Sequence, residues 1–265
     1  MNKYLAPLWQ YRGFIVASVV REFQLKHRSS ILGSVWSILN PLSMIVIYTV
    51  IFSQIMKAKL PGVESIYGYS VYLCAGIIFW GLFAEMMARF QTLFLDNGNI
   101  LKKLNFPRLT LPIIIILSSL LNVSIILGIF FIFLLFTGQF PTSSILAVMP
   151  VLLVQLIFTV GLGMSLSILN VFFRDIGQFF TIIVQFWFWL TPIVYPIKIL
   201  PDAIQKILLT WNPIAPLMSA YQTIFVYATM PKWDSLLIPL LAGLLLCIFG
   251  LSLYLKHSAD IVDEL

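Results

Sequence analysis

The charged residues of this chain are spaced so that long stretches between them carry no charge. No Asp, Glu, Lys or Arg occurs between positions 28 and 57, 64 and 85, 175 and 198, or 234 and 256. Each interval can hold a helix of roughly 20 residues, the length that crosses a hydrocarbon core of about 30 Å. The interval from 108 to 174 can hold two helices, and the turn residues and proline of 137–144 divide it. The spacing therefore predicts six membrane spans.

The composition excludes an ordinary water-soluble protein. Only 10% of the residues are charged and 60% are hydrophobic, whereas soluble domains usually carry about 25% charged residues. We therefore predict an all-α integral membrane protein whose single transmembrane domain covers 31–265. Its six helices are expected near 35–56, 69–89, 109–137, 145–172, 177–196 and 235–255.

Two further segments are predicted to lie at the membrane surfaces. Residues 1–30 form a leader in which Val16, Val19, Val20 and Phe23 recur at helical spacing, which indicates an amphipathic interfacial helix. Residues 197–233 include a long uncharged stretch but also several prolines and polar side chains. Since irregular backbone at membrane depth is tolerated only where protein or a cavity surrounds it, we predict a re-entrant element on the outer face.

The distribution of Lys and Arg predicts the orientation of the spans. Eleven of the 16 basic residues lie in the leader, after the second and fourth spans and after the last span, and the remaining five lie on the opposite side. Positive residues accumulate on the cytoplasmic side of a membrane. We therefore predict a multi-pass protein of the cell inner membrane with both termini in the cytoplasm.

Several kinds of chemistry have no support in the sequence. It contains no phosphate-binding G-x-x-x-x-G-K-[ST] string and no metal-ligand spacing, and its basic residues flank spans and form no nucleic-acid-binding patch. We expect no catalytic residue, metal or cofactor on this chain.

Ionisable residues are nearly absent from the spans, which argues against a proton-coupled carrier. Glu85 and Arg89, four residues apart, are expected to form an ion pair at the cytoplasmic end of the second span.

Aromatic side chains are abundant, at 15% of the chain, and hydroxyl and amide side chains accompany them in the spans. Rings can stack on the apolar faces of sugars while Ser, Asn and Gln bond sugar hydroxyls, so this combination suits a glycan pathway. Packing against lipid or neighbouring helices is the alternative for each ring. The channel candidates are Trp36, Tyr48, Trp187, Trp189 and Tyr195.

Three segments together resemble the permease subunits of ABC exporters for polysaccharides, which move O-antigen, teichoic acid or capsule polymers. The first is the sequence RSSILGSVWSILNPL at 28–42, where the first span begins. The second is DNGNILKKLNFPR at 96–108, followed by Pro112. The third is FFRDI at 172–176, followed by TPIVYP at 191–196.

This resemblance implies a homodimer with a glycan channel, driven by two copies of a separate ABC ATPase subunit that holds ATP and Mg. It implies that a coupling helix near 95–107 and the start of the fifth span dock on that ATPase. The implied docking residues are Asn97, Asn99, Lys102, Lys103, Phe106, Pro107, Arg108, Arg174 and Asp175. The partners would be the ATPase, a second copy, membrane lipid and a lipid-linked polysaccharide, with a place in lipopolysaccharide biosynthesis.

Other functions fit the same pattern. A teichoic acid or capsular polysaccharide export permease has the same architecture, and a drug or small-lipid ABC permease would not need a wide aromatic path. A membrane-embedded lipid-sugar transferase would need paired carboxylates at the membrane face, and Asp96 is the one loop acid near such a position. The basic residues of the coupling segment would also satisfy the positive-inside rule in any membrane protein.

Overall fold

A computed structural model describes residues 9–25, 33–56, 60–103, 107–258 and 260–264 of the chain. The main helices are α1 (Arg12–Leu25), α2 (Trp36–Tyr48), α3 (Gly68–Gln91), α4 (Thr110–Phe136), α5 (Val148–Phe172), α6 (Asp175–Leu190), α7 (Asp202–Trp211), α8 (Ile214–Tyr227) and α9 (Leu237–His257). Short 3-10 or α-helical pieces cover Gly33–Val35, Leu93–Asp96, Gly98–Lys103, Ile145–Ala147, Ile197–Ile199, Trp233–Leu236 and Asp260–Asp263. A π-helical stretch, Thr49–Ile55, continues α2. Every regular element in these ranges is helical, which confirms the predicted all-α membrane class.

Five helical stretches within the described ranges are long and apolar enough to cross a membrane. They are Trp36–Ile55, Gly68–Gln91, Thr110–Phe136, Ile145–Phe172 and Trp233–His257. The helix in the place of the predicted fifth span is α6, which has only 16 residues and is therefore about 24 Å long. The count of six spans and the re-entrant element stay predictions.

Side-chain contacts define two ends of the bundle. At one end, which we call the leader end, Asn170 donates to the Gln91 carbonyl and the Phe172 ring contacts His257. At the opposite end, which we call the far end, the Ser144 hydroxyl donates to the Ile224 carbonyl. Because α5 and α9 both finish at the leader end, the chain between them must return to the far end, and α6 makes most of that passage.

The centre of the bundle is α3. In the apolar stretch of this helix 72% of the residues are buried, whereas 17% are buried in the apolar stretch of Trp36–Ile55. It packs against α2, α4, α5 and α8. Its contacts with α8 include the Phe79 and Tyr221 rings, which stack with centroids 3.4 Å apart, and the Tyr221 hydroxyl donates to the Gln155 side chain of α5. Side chains on α3 are therefore held rigidly by several neighbours.

Glycines allow α5 and α9 to approach closely over much of their length. A Cβ atom at Gly161 would lie 2.6 Å from the Cys247 backbone nitrogen, and one at Gly243 would lie 2.8 Å from the Phe158 Cα atom. Small residues at helix contacts are typical of membrane proteins, in which association depends on close packing. At both glycines the nearest atoms belong to the backbone of the facing helix, so a side chain there would meet atoms that cannot rotate away.

The turn that ends α6 is held by side chains of α3 and α8. Thr191 precedes Pro192 and has extended backbone angles, as the proline ring favours, so the helix stops there. The Tyr72 hydroxyl donates to the carbonyls of Pro192 and Tyr195, and the Gln222 amide also donates to Pro192. These bonds satisfy carbonyls that no helix satisfies, which permits a non-helical turn inside the bundle.

Some apolar residues of the leader helix α1 are buried against the bundle, and others are exposed. Ile15 and Val19 are buried and pack against Ile114 of α4, whereas Val16 and Val20 are exposed. The exposed valines are placed to contact lipid if α1 lies along the membrane, as the sequence predicts.

Candidate coupling surface and translocation path

The described part of the coupling segment forms two short helices at the leader end, Leu93–Asp96 and Gly98–Lys103. The Asn97 amide donates to the Leu93 carbonyl at 2.8 Å, so this side chain caps the first helix from within the chain. Asn99 and Lys102 are exposed on the second helix, Gly98–Lys103. Phe106 and the Lys103 side chain lie outside the described residues. Within the described part of the coupling segment, Asn99 and Lys102 are therefore the predicted docking residues with exposed side chains.

Arg108 and Pro107 connect the coupling segment to the rest of the leader end. The Arg108 guanidinium donates to the carbonyl of Ser258, just after α9, and the Pro107 carbonyl accepts from the Thr110 hydroxyl. The helix Gly98–Lys103 also packs beside the C-terminal turn Asp260–Asp263. Sequence reasoning missed this contact, because nothing local relates positions so far apart in the chain.

The other predicted docking residues, Arg174 and Asp175, begin α6. Both are exposed, and Asp175 lies in the first helical turn, where a carboxylate is favourable next to the partial positive charge of the helix N-terminus. Gly177 follows and donates its backbone N–H to the Asn170 side chain. The structure thus fixes the backbone of this corner while leaving its two charged side chains free of burial.

An ion pair attaches α1 to the bundle at the leader end. The Arg89 guanidinium contacts the Glu22 carboxylate at 2.6 Å and donates to the Ser118 hydroxyl, also at 2.6 Å. Glu85 instead accepts a bond from the Asn122 amide at 2.7 Å. The expected pairing of Glu85 with Arg89 is therefore wrong, because α1 brings a carboxylate to Arg89 and α4 brings an amide to Glu85.

The predicted channel rings have different surroundings. Trp187 is half-buried, packs edge-on against Phe83 and Phe158 with centroids 5.6 and 6.4 Å away, and donates from Nε1 to the Asn212 side chain. Trp189 is 65% exposed. The Tyr195 hydroxyl donates to the Trp189 carbonyl at 3.0 Å, so these two residues lie together.

Trp189 belongs to an exposed face of α6 that was not predicted from the sequence. The face, which we call the α6 outer face, consists of Gln178, Phe179, Ile182, Gln185, Phe186 and Trp189, all exposed. Spacings of three and four residues place these side chains on one side of a helix. That period was visible in the sequence, but only the tertiary packing shows which side of α6 is turned away from the bundle.

The two remaining channel candidates lie on α2. Trp36 is 41% exposed at the leader end of the helix, and Tyr48 lies half-buried near its far end. Tyr48 begins a series of neighbouring rings through Phe52 and Tyr69 to Tyr72, with centroids 6.2, 5.3 and 6.0 Å apart. Tyr72 in turn bonds the Tyr195 carbonyl at 2.8 Å. The structure therefore connects Tyr48 with Tyr195 through rings that sequence reasoning did not select.

The polar side chains described above mainly join helices and turns, whereas Asn99, Lys102, Arg174, Asp175 and the two glutamines of the α6 outer face are exposed. Residues 14–226 match the ABC-2 type transporter family. The chain belongs to this family of membrane transport proteins.

Curated relatives narrow the comparison to particular proteins. The chain is 29% identical over 238 residues to the O-antigen export system permease protein RfbA of Myxococcus xanthus, an alignment that covers 89% of each chain. It is 30% identical over 243 residues to the protein of the same name from Klebsiella pneumoniae, with 91% of each chain covered. The resemblance to polysaccharide export permeases that the sequence motifs suggested is confirmed by these similarities.

Proposed function

We propose that this chain is the membrane-spanning subunit of an ABC exporter that moves a lipid-linked polysaccharide of the O-antigen class across the cytoplasmic membrane. The observation that carries the proposal is the similarity, over about nine tenths of both chains, to relatives that are O-antigen export permeases. Similarity over that share of the chain is not confined to one motif or one helix.

The α6 outer face supports a path for a sugar polymer. Two amides, Gln178 and Gln185, lie among exposed aromatic rings on this face. An amide side chain facing lipid has no hydrogen-bond partner, which is costly, so the face is better suited to contact protein or a polar path. A second copy of the chain presenting the same face would enclose such a path, in which rings stack on sugars and amides bond their hydroxyls.

The energy for export comes, in this proposal, from two copies of an ABC ATPase that bind ATP and Mg. This chain carries no G-x-x-x-x-G-K-[ST] string in its sequence, and such a loop is what cradles the phosphates of ATP. The ATPase docks at the leader end, on the exposed Asn99 and Lys102, on Lys103 and Phe106, and on Arg174 and Asp175. The predominance of basic residues at this end supports a cytoplasmic location for it.

Reconstitution tests the proposal directly. The chain, co-purified with its ATPase and placed in vesicles, is expected to move lipid-linked O-antigen only when ATP is present. Vesicles holding the chain alone are expected to show neither transport nor ATP hydrolysis. ATP hydrolysis by the chain alone would refute the proposal that a separate subunit hydrolyses ATP. Transport or ATPase stimulation by small amphiphilic drugs, with no response to the glycolipid, would instead identify a drug permease.

Charge reversal at Lys102 and Lys103 tests the docking surface. Both residues changed to Glu are expected to reduce recovery of the ATPase in co-purification, and the difference from wild type should shrink at high salt because exposed charges are screened. Lys256→Glu, an exposed position at the end of α9, is the matched control. Equal recovery for both variants would contradict the assigned surface.

A further inference from the structure

Three cavities lie in succession along α4 from the leader end toward the middle of the bundle, and together we call them the groove. Their volumes are about 690, 250 and 280 Å³. The first two share Glu22 and Arg89, and the second and third share Glu85 and Asn122. Helices α1, α2 and α3 and, in the first cavity, the coupling segment supply its other walls.

The length of the groove matches one leaflet of a bilayer. On α4 its lining extends from Leu111 in the first cavity to Ile126 in the third. Fifteen helical residues correspond to about 22 Å. Half of a bilayer, including its headgroup region, is roughly 20 to 22 Å thick. A lipid of the leaflet at the leader end would therefore fit the groove lengthwise.

The polarity of the lining changes in the same direction as that of a lipid. The first cavity is lined by charged side chains of both signs, including Arg21, Arg89 and Asp96. The third is lined mainly by apolar side chains of α2, α3 and α4, such as Met44, Leu82 and Ile126. A headgroup would thus lie at the leader end and an acyl chain at the inner end.

The charges in the first cavity select among headgroups. Arg21 and Arg89 present guanidinium groups, which recognise phosphate with several donors. Glu22 and Asp96 line the same cavity with carboxylates, which would repel an anionic headgroup but attract an ammonium. Arg89 is already bonded to Glu22 and Ser118, so Arg21 is the cation with more freedom to meet the phosphate.

We propose that this groove binds one glycerophospholipid that carries a primary amine in its headgroup, with phosphate at Arg21, ammonium at Asp96 and an acyl chain beside Gly81. The bound lipid fills the space under α1 and so joins the leader helix to α3 and α4. The proposal concerns a bilayer lipid and holds whatever polymer the chain exports.

Two glycines give a matched pair of variants for the acyl end. Gly81 lines the third cavity, and a Cβ atom there meets no atom within 4 Å. Gly128 on α4 is exposed and equally open, and lies outside these three cavities. The Cβ atom of Gly81→Leu therefore enters the groove without a contact, and Gly128→Leu adds the same side chain elsewhere on the bundle.

Native mass spectrometry of the purified full chain measures the binding. Phosphatidylethanolamine, phosphatidylglycerol and phosphatidylcholine with identical acyl chains are added in turn. Phosphatidylethanolamine is expected to be retained most, Gly81→Leu to lose that retention, and Gly128→Leu to keep it. Arg21→Gln and Asp96→Asn should each lower it about two- to fivefold, as expected for exposed ionic contacts, while Lys256→Gln should not.

Three outcomes would overturn the proposal. Equal retention by the two glycine variants would mean that the bound lipid belongs to the general shell around the protein. Equal retention of all three phospholipids would show that the groove does not select a primary amine, so Asp96 would not bind the ammonium. Displacement of phosphatidylethanolamine by a lipid-linked saccharide alone, and by no phospholipid, would assign the groove to the exported substrate.

Discussion

Neighbouring residues in the aromatic run of α6 show how surroundings decide the role of a side chain. Trp187 and Trp189 are two positions apart, so a helix turns them to different sides. The first packs on Phe83 and Phe158 and bonds Asn212, whereas the second is 65% exposed. Both were chosen from the sequence as channel residues, and the structure gives Trp187 the contacts of a packing residue.

Substitution of the two tryptophans should separate packing from transport. Trp187→Ala is expected to destabilise the chain by about 3 kcal/mol, because a packed ring and a hydrogen bond are lost. Trp189→Ala should change stability by less than about 1 kcal/mol yet reduce glycan export. Thermal unfolding in detergent and surface glycan measure the two effects.

The control substitutions at Trp189 distinguish a π face from bulk. If the ring stacks on sugars, Trp189→Phe should sustain export and Trp189→Leu should not, with ATPase association intact in both. Export restored equally by Phe and Leu would show that the ring only fills space. The same comparison at Trp187 should instead follow the stability of each variant.

At the level of helices, the pairing of α5 with α9 depends on the absence of side chains. The Cβ atom of Gly161→Ala would lie 2.6 Å from one backbone atom of α9 and 2.8 Å from another. Since backbone cannot move aside as a flexible side chain can, the helices must separate. Such overpacking typically costs about 1–3 kcal/mol.

We therefore expect Gly161→Ala to lower the thermal midpoint of the purified chain. Gly128→Ala is the matched control, since its Cβ atom is free of contacts and alanine favours helix by up to about 1 kcal/mol over glycine. An unchanged midpoint for Gly161→Ala would show that α5 and α9 do not pack this closely in the membrane.

For the molecule as a whole, the short helix α6 determines at which end of the bundle the following segments α7, α8 and α9 begin. The contact of Phe172 with His257 places the C-terminal ends of α5 and α9 together, so an odd number of passages must lie between the end of α5 and the start of α9. The helix α6 and the turn bonded by Tyr72 and Gln222 provide one passage, and α7 and α8 then lie toward the far end.

Reporter fusions should test that arrangement. A reporter after Leu265 is expected in the cytoplasm, and reporters inserted near Glu64 or Asp202 are expected outside. These positions follow from the predominance of basic residues at the leader end. A C-terminal reporter outside the cell would mean that α8 also crosses, and it would contradict the predicted re-entrant element.

The sequence by itself determined the membrane class and the approximate positions of the long helices, since both follow from local apolar length and the spacing of charges. Helices such as Thr110–Phe136 lie where uncharged stretches predicted them because a helix satisfies its backbone within one segment. The motifs at 28–42, 96–108 and 172–196 also indicated the transporter family, because each is a contiguous string of residues.

The tertiary structure alone decided which side chains meet. Arg89 pairs with Glu22, 67 positions away, and not with Glu85 on its own helix. The coupling segment contacts the C-terminal turn, and one tryptophan of α6 is packed while another is exposed. Each outcome depends on the relative orientation and distance of helices that are far apart in the sequence. The spacing of side chains along one helix does not specify either.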